Sequence, residues 1–494
     1  MKYLIAAIFF CLPFLANAGK YFDFNENCRQ AYTEVMSLRI ANGQRLLDEE
    51  KKVHPDNLIP YFLDNYVDFF PLFFNEDVKE FDKKMPLKEA RLAAMKIGPA
   101  DSPWYLFTQS VLQLQWAAIH IKFGEKWAAG WSFKAAFTLV KENQKLFPNF
   151  APNKIVMGPL QVAAGTIPKG YQWLTNMLGV KGNIASGIND LYSFINNPDP
   201  VASIFKDEAT FYFCYLKFHF ENKPDAALQF IRTQRLDVVN NHLFTYMAAN
   251  LSLNNQQSGD TKNYVLRRNA SIAYMASPMW DFELAYSKLY HLEPDANVYF
   301  ERFLGNFKGN FYVKDSWLKL GWHHLLQGNT ALYNSCLQQV KLRGNAETDA
   351  DKKALKEAKY GKVPNTFLLK ARLLSDGGYP QEAYQVLHGK PAPVFTTDDD
   401  RLEFAYRTGR IYEALGKYDD AIEAYGNTIK AGRDRTGYFA ARAALQTGMI
   451  YEQHKKNNIM AISFYQQCLA MENHDYKNSL DQKAKAGVER CSGR

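Results

Sequence analysis

The chain is 494 residues long and carries 59 Lys and Arg against 51 Asp and Glu, a net charge of +8, with 15% aromatic residues. That bias is mild and lacks a concentrated basic stripe with interleaved aromatics, which argues against a nucleic-acid partner. The cysteines beyond the N-terminal segment, Cys28, Cys214, Cys336, Cys468 and Cys491, are odd in number and form no CxxC pair, so zinc is not indicated.

Residues 1–18, MKYLIAAIFFCLPFLANA, combine Lys2, an apolar run from Leu4 to Leu15 and the small residues Ala16 and Ala18. This reads as a secretory signal cleaved before Gly19. Cys11 has no lipobox around it, and no later stretch offers about twenty uninterrupted apolar residues. The mature chain is therefore expected to be exported without a transmembrane helix, periplasmic or held peripherally at the outer membrane.

Residues 19–200 read as an N-terminal helical domain. Ala31, Val35, Leu38 and Ile40 predict a first helix from Tyr21 to about Gly43, and Pro60 and Pro71 bracket an aromatic segment with Tyr61, Phe62, Tyr66, Phe69 and Phe70. Ser102 followed by Pro103 predicts an N-cap and a first-turn proline opening a helix through Phe123, with a partner helix from Lys126 to Leu146. From Val156 to Tyr192 the chain is punctuated by Gly158, Gly165, Pro168, Gly179, Gly182 and Gly187, read as a kinked buried hairpin.

Residues 201–300 read as degenerate helical repeats. Phe211, Tyr215 and Phe218 share a face, Asn222 to Pro224 make a turn, and Ala226 to Arg232 begin the return helix. Between Lys341 and Lys362 lies a charged insert, with Thr348 or Asp349 as cap. Lys352, Lys356 and Lys359 lie on one face, read as solvated rather than as a contact to an anionic surface.

Residues 301–475 hold the strongest pattern. Gly409, Tyr412, Gly416, Tyr418, Ala421 and Tyr425 stand at the spacings of a tetratricopeptide repeat, a family this segment resembles. Trp317, Leu320 and Gly321 open an earlier unit; Ala371, Gly378 and Ala383 form another; Gly448, Tyr451, Ala461, Tyr465 and Cys468 a fourth with one residue inserted. Small residues at these sites let two helices approach, and the tyrosines fill the space beside them. Residues 476–494 read as a C-terminal tail. The resemblance implies an all-α fold, a tetratricopeptide-repeat helical solenoid with a helical N-terminal domain, whose inner wall grips a partner. The punctuated hairpin, with Leu178, Gly179, Gly182, Gly187 and Leu191, together with the C-terminal repeats resembles the tetratricopeptide repeat protein 39 family.

No HExxH, GxSxG, P-loop or Gly-rich dinucleotide turn is present, so a non-enzymatic role without cofactor, metal or catalytic residue is expected. Adjacent His323 and His324 point in different directions on a helix, and His324 reads as a packing residue. Asp398 to Asp400, and Asp419 with Asp420, read as caps before helices near Arg401 and Ala421. The repeat resemblance implies that the first helix of each unit lines the concave face. It places Trp322, Arg372, Arg410 and Met449 there, with Leu318, Leu368, Tyr406 and Leu445 a turn earlier and Leu325, Ser375, Glu413 and Glu452 nearly a turn later. Trp322, Arg372, Tyr406, Arg410, Glu413 and Met449 thus form a candidate groove for a protein or peptide partner. Arg372 and Arg410 would hold a partner carboxylate, unless they pair internally with Glu413 or another acid. The expected function is an exported scaffold or adaptor; the alternative is a glycan-binding subunit at the outer membrane, using exposed aromatic rings.

Overall fold

Ser102 and Pro103 open the first long hairpin as their chemistry dictates. The Ser102 hydroxyl accepts from the Trp104 amide, and Pro103 occupies the first turn, where a missing amide costs nothing. The helix runs Pro103–Lys122, and its partner runs Lys126–Leu146. The structure, a computed structural model, describes residues 19–166, 182–390 and 394–493. The proposed export signal, and Pro168, Leu178 and Gly179 of the punctuated hairpin, lie outside the described residues. Among these every regular element is a helix, and one parallel bridge joins Tyr21 to Asn57.

The chain forms two compact units. Among the described residues the first takes those up to Asn222 apart from 74–77, with 270–275 added. Its core is aromatic: Phe24, Tyr32, Phe62, Tyr66, Phe107 and Phe205 pack largely edge to face, the arrangement ring quadrupoles favour. Within it the buried Glu208 accepts hydrogen bonds from the hydroxyls of Tyr32, Tyr66 and Tyr212 at 2.6, 2.9 and 3.1 Å.

Two expectations for this unit need correction. The helix predicted from Tyr21 to Gly43 is two helices, Glu26–Met36 and Ile40–Val53, broken where Leu38 adopts φ 62°. Leu38 is nevertheless fully buried, so the spacing that suggested one helix recorded burial, not continuity. Pro71 does not end the aromatic segment but lies inside a helix, Ile59–Asn75. An interior proline costs about 3 kcal/mol, whereas burying each of Phe62, Tyr66 and Phe70 returns about 1.5–3 kcal/mol.

The punctuated hairpin packs as closely as its glycines suggest. Helix Asn153–Gly165 crosses helix Ile184–Ile195 so tightly that a Cβ on Gly187 would meet the Gly158 carbonyl oxygen at 2.4 Å. Only glycine leaves room for that approach.

The second unit is a run of helical hairpins. Helices His242–Asn254 with Ser258–Arg267 and Met279–Tyr290 with Ala296–Asn306 form the first two, followed by Val313–Leu326 with Thr330–Leu342. After the inserted helix Asp349–Tyr360, capped by Thr348, come Thr366–Gly377 with Pro380–Leu387, Asp398–Ala414 with Tyr418–Gly432, and Phe439–Gln453 with Asn458–Ala470. Thr397 caps the Asp398 helix, placing Asp398 to Asp400 in its first turn; Tyr418 begins earlier than the expected Ala421. The consensus residues meet as the repeat chemistry requires. A Cβ on Gly409 would lie 2.6 Å from the Tyr425 ring, and one on Gly448 2.6 Å from that of Tyr465. The sequence 476–494 is no loose tail: helix Lys477–Cys491 buries Leu480, Ala484 and Gly487, the last against the free edge of Tyr465. It covers the apolar end that stacked hairpins leave open.

Candidate functional site

The first helices of the last three hairpins touch one another in succession, and the side chains they turn to one side enclose a recess of about 300 Å³. Arg372 comes from helix Thr366–Gly377, Tyr406, Arg407 and Arg410 from Asp398–Ala414, and Arg442 from Phe439–Gln453. The inserted helix adds Lys353; Tyr438 and Tyr476 complete the wall. Five cations face one carboxylate, Asp376.

Arg372, Arg407 and Arg410 have carboxylates at ion-pair distance, and Lys353 and Arg442 have none. Arg407 donates to Glu403 through Nε at 3.1 Å and Nη2 at 2.9 Å. Arg372 approaches Glu357 only to 3.8 Å and Asp376 to 3.7 Å, and Arg410 reaches Glu413 at 3.5 Å, all beyond a normal hydrogen bond. Among the described residues Lys353, Arg372, Arg410 and Arg442 donate no side-chain hydrogen bond, and the Nε of Arg442 is buried without a partner. The charge of Arg372, followed by burial, pushes the Lys353 ammonium down to about 7.

The six sequence-derived residues divide. Arg372, Tyr406 and Arg410 do line one recess. Trp322 does not reach an open wall: it is 1% exposed, because the inserted helix Asp349–Tyr360 packs on helix Val313–Leu326. Its ring instead lies beneath Arg372, at 4.6 Å, and Lys319, at 3.8 Å. Glu413 is engaged internally, accepting from Tyr425 at 2.5 Å and from Gln446 at 2.9 and 3.0 Å. Met449 is half-buried against the cluster around Ala461 and Tyr465. Tyr406 contributes to the recess while remaining 3% exposed, its ring held between Tyr425 and Phe439.

Arg407, Arg442 and Lys353 were not anticipated. Reading Lys352, Lys356 and Lys359 as one solvated face overlooked the opposite side of the same helix, where Ala354 and Ala358 are fully buried and Lys353 turns into the recess. The alanine pair was the available signal, since two small apolar residues at i and i+4 mark a packed face.

The fold and these contacts define an all-α protein built of stacked helical hairpins. No family model matches the chain, and no curated protein matches it. Among solved structures it is similar to the APC/C hetero-tetramer Cut9–Hcn1 at 13% identity, covering 92% of this chain and 95% of that one with a TM-score of 0.26. At that score the similarity bears on neither architecture nor role; the class rests on the hairpins and on the Gly409–Tyr425 and Gly448–Tyr465 contacts themselves.

Proposed function

We propose that the chain is an exported, non-enzymatic scaffold or adaptor that grips an acidic segment of a partner protein on the wall formed by successive first helices. The observation that carries this reading is the set of four cations with no internal hydrogen bond lining one recess. Guanidinium groups held by packing and left with free donors suit planar or multidentate anions. The resemblance to the tetratricopeptide repeat protein 39 family, the cleavage before Gly19 and a location in the periplasm or at the outer membrane belong to the same proposal.

Crosslinking in the native cell envelope followed by mass spectrometry tests it. The chain should capture a partner with an acidic contact segment, and Arg372→Glu with Arg410→Glu should abolish capture while circular dichroism stays helical. Undiminished capture by that double variant removes the proposal.

One observation favours the glycan alternative. In the first unit Trp127 and Trp131, one turn apart on helix Lys126–Leu146, are 69% and 56% exposed, as stacking platforms for sugar rings would be. A glycan array with the Trp127→Ala/Trp131→Ala variant decides it: saturable binding lost in the variant supports the alternative, and a blank array ends it.

A further inference from the structure

Building on the reading of this wall as the binding surface, we infer that the recess receives a phosphoryl group bearing two or more negative charges, rather than a single carboxylate. The charge balance is the first argument. Behind the lining Glu357, Glu403 and Glu413 stand at ion-pair distance from Arg372, Arg407 and Arg410, and Asp376 from Arg372, whereas Lys353 and Arg442 have no carboxylate at that distance, so two positive charges are left for a ligand to meet. A phosphomonoester brings about −1.5 to −2 and a diphosphate more, each with several acceptor oxygens.

Donor geometry is the second. The Nε of Arg442 is buried and unpartnered, a desolvated donor that a ligand oxygen would satisfy. Two of its neighbours are braced from behind: Arg372 rests on the Trp322 ring at 4.6 Å, and Arg407 is doubly bonded to Glu403. Their orientation is set before any ligand arrives, which lowers the ordering cost of binding. Tyr406, Tyr438 and Tyr476 on the same lining are phenols able to donate to phosphate oxygens.

Size is the third. About 300 Å³ stands at the small end of ligand pockets, room for a diphosphate or a phosphorylated side chain but not for a folded module.

Calorimetric titration of the full mature chain at low ionic strength tests this with four probes: pyrophosphate, a phosphoserine peptide, the same peptide with glutamate in place of phosphoserine, and acetate. Pyrophosphate should saturate at one per chain, and acetate should not saturate. Arg442→Gln and, separately, Lys353→Met should each weaken pyrophosphate about tenfold or more, with helicity unchanged. Binding of the phosphoserine peptide as well identifies the phosphoryl group as part of a partner; binding of pyrophosphate alone identifies a free small molecule. Either result upholds the inference. Equal affinity for the glutamate and phosphoserine peptides, or variant affinities within twofold of the parent, overturns it. Should pyrophosphate fail while the glutamate peptide binds, the phosphoryl inference falls and the acidic-partner proposal stands; should all four fail, both fall.

Discussion

The hydroxyl of Tyr425 donates a 2.5 Å hydrogen bond to Glu413, and one hairpin later Tyr465 makes the same 2.5 Å bond to Glu452. In each case the ring presses on the glycine one turn before the acid, Gly409 or Gly448. The glycine, tyrosine and glutamate act together to lock the second helix of a hairpin onto the first. That is why Glu413 is not free to meet a partner.

This lock sets the first prediction. Tyr425→Phe keeps the ring and removes the bond, so it should cost about 1.5–3 kcal/mol, the range for hydrogen bonds to charged groups. Gly409→Ala forces a methyl into the Tyr425 ring and should cost about 1–3 kcal/mol by overpacking. Urea unfolding curves check both; a Tyr425→Phe midpoint equal to the parent's would show the bond to be without consequence.

Two arginines of the cationic recess are expected to affect stability in opposite directions. Arg442 has a buried, unpartnered Nε among like charges, so Arg442→Met should raise stability by about 1 kcal/mol, the lower end of the cost of an unsatisfied buried donor. Arg372→Ala should do the opposite, because it uncovers the Trp322 ring and forfeits a cation–π contact worth about 0.5–2 kcal/mol. Thermal melts of the two variants should move in opposite directions.

Lys353 gives a pH signature. It faces Arg372, Arg407 and Lys319, with Glu357 on its own helix and Glu403 and Asp400 across the adjoining wall. Its ordinary value of 10.5 falls to about 7 in the folded chain, so below pH 7 both states carry the charge and the folded state bears the full repulsion. Between pH 7 and 10.5 the unfolded state holds the extra proton, and stability rises with pH. Lys353→Met should therefore stabilise more at pH 6 than at pH 9. An equal gain at the two values in chemical denaturation contradicts the assignment.

Glu283 runs the other way. It is fully buried, accepts from Asn250 at 2.8 Å through one oxygen and has no partner on the other. Burial pushes its carboxyl up to about 8 from 4.5. The folded state then holds the extra proton between those values, so its contribution is complete below pH 4.5 and is lost as pH rises toward 8. Glu283→Gln, which cannot ionise, should match the parent near pH 5 and exceed it in stability at pH 9. Superimposable pH profiles would contradict this.

Much of the architecture was legible in local residues. Ser102–Pro103 marked a helix start, Gly409, Tyr425, Gly448 and Tyr465 marked hairpins, and Gly158 and Gly187 marked a close crossing, because each of these depends on neighbours within one or two helices. Arg372 and Arg410 were reachable for the same reason: the repeat register says which way a residue on a first helix points.

The site's composition was decided by tertiary packing. Whether Trp322 was wall or floor depended on where the inserted helix came to rest, and the same docking carried Lys353 toward Arg372 rather than into solvent. Leu38 showed the same limit in miniature, since apolar spacing records that a side chain is buried but not by what. Helix and hairpin follow from interactions a few residues apart, which a sequence writes down directly. A cluster of like charges gathered from Lys353 to Arg442 exists only because the apolar faces of several helices packed first, and the energy of that packing held the cations together against their repulsion.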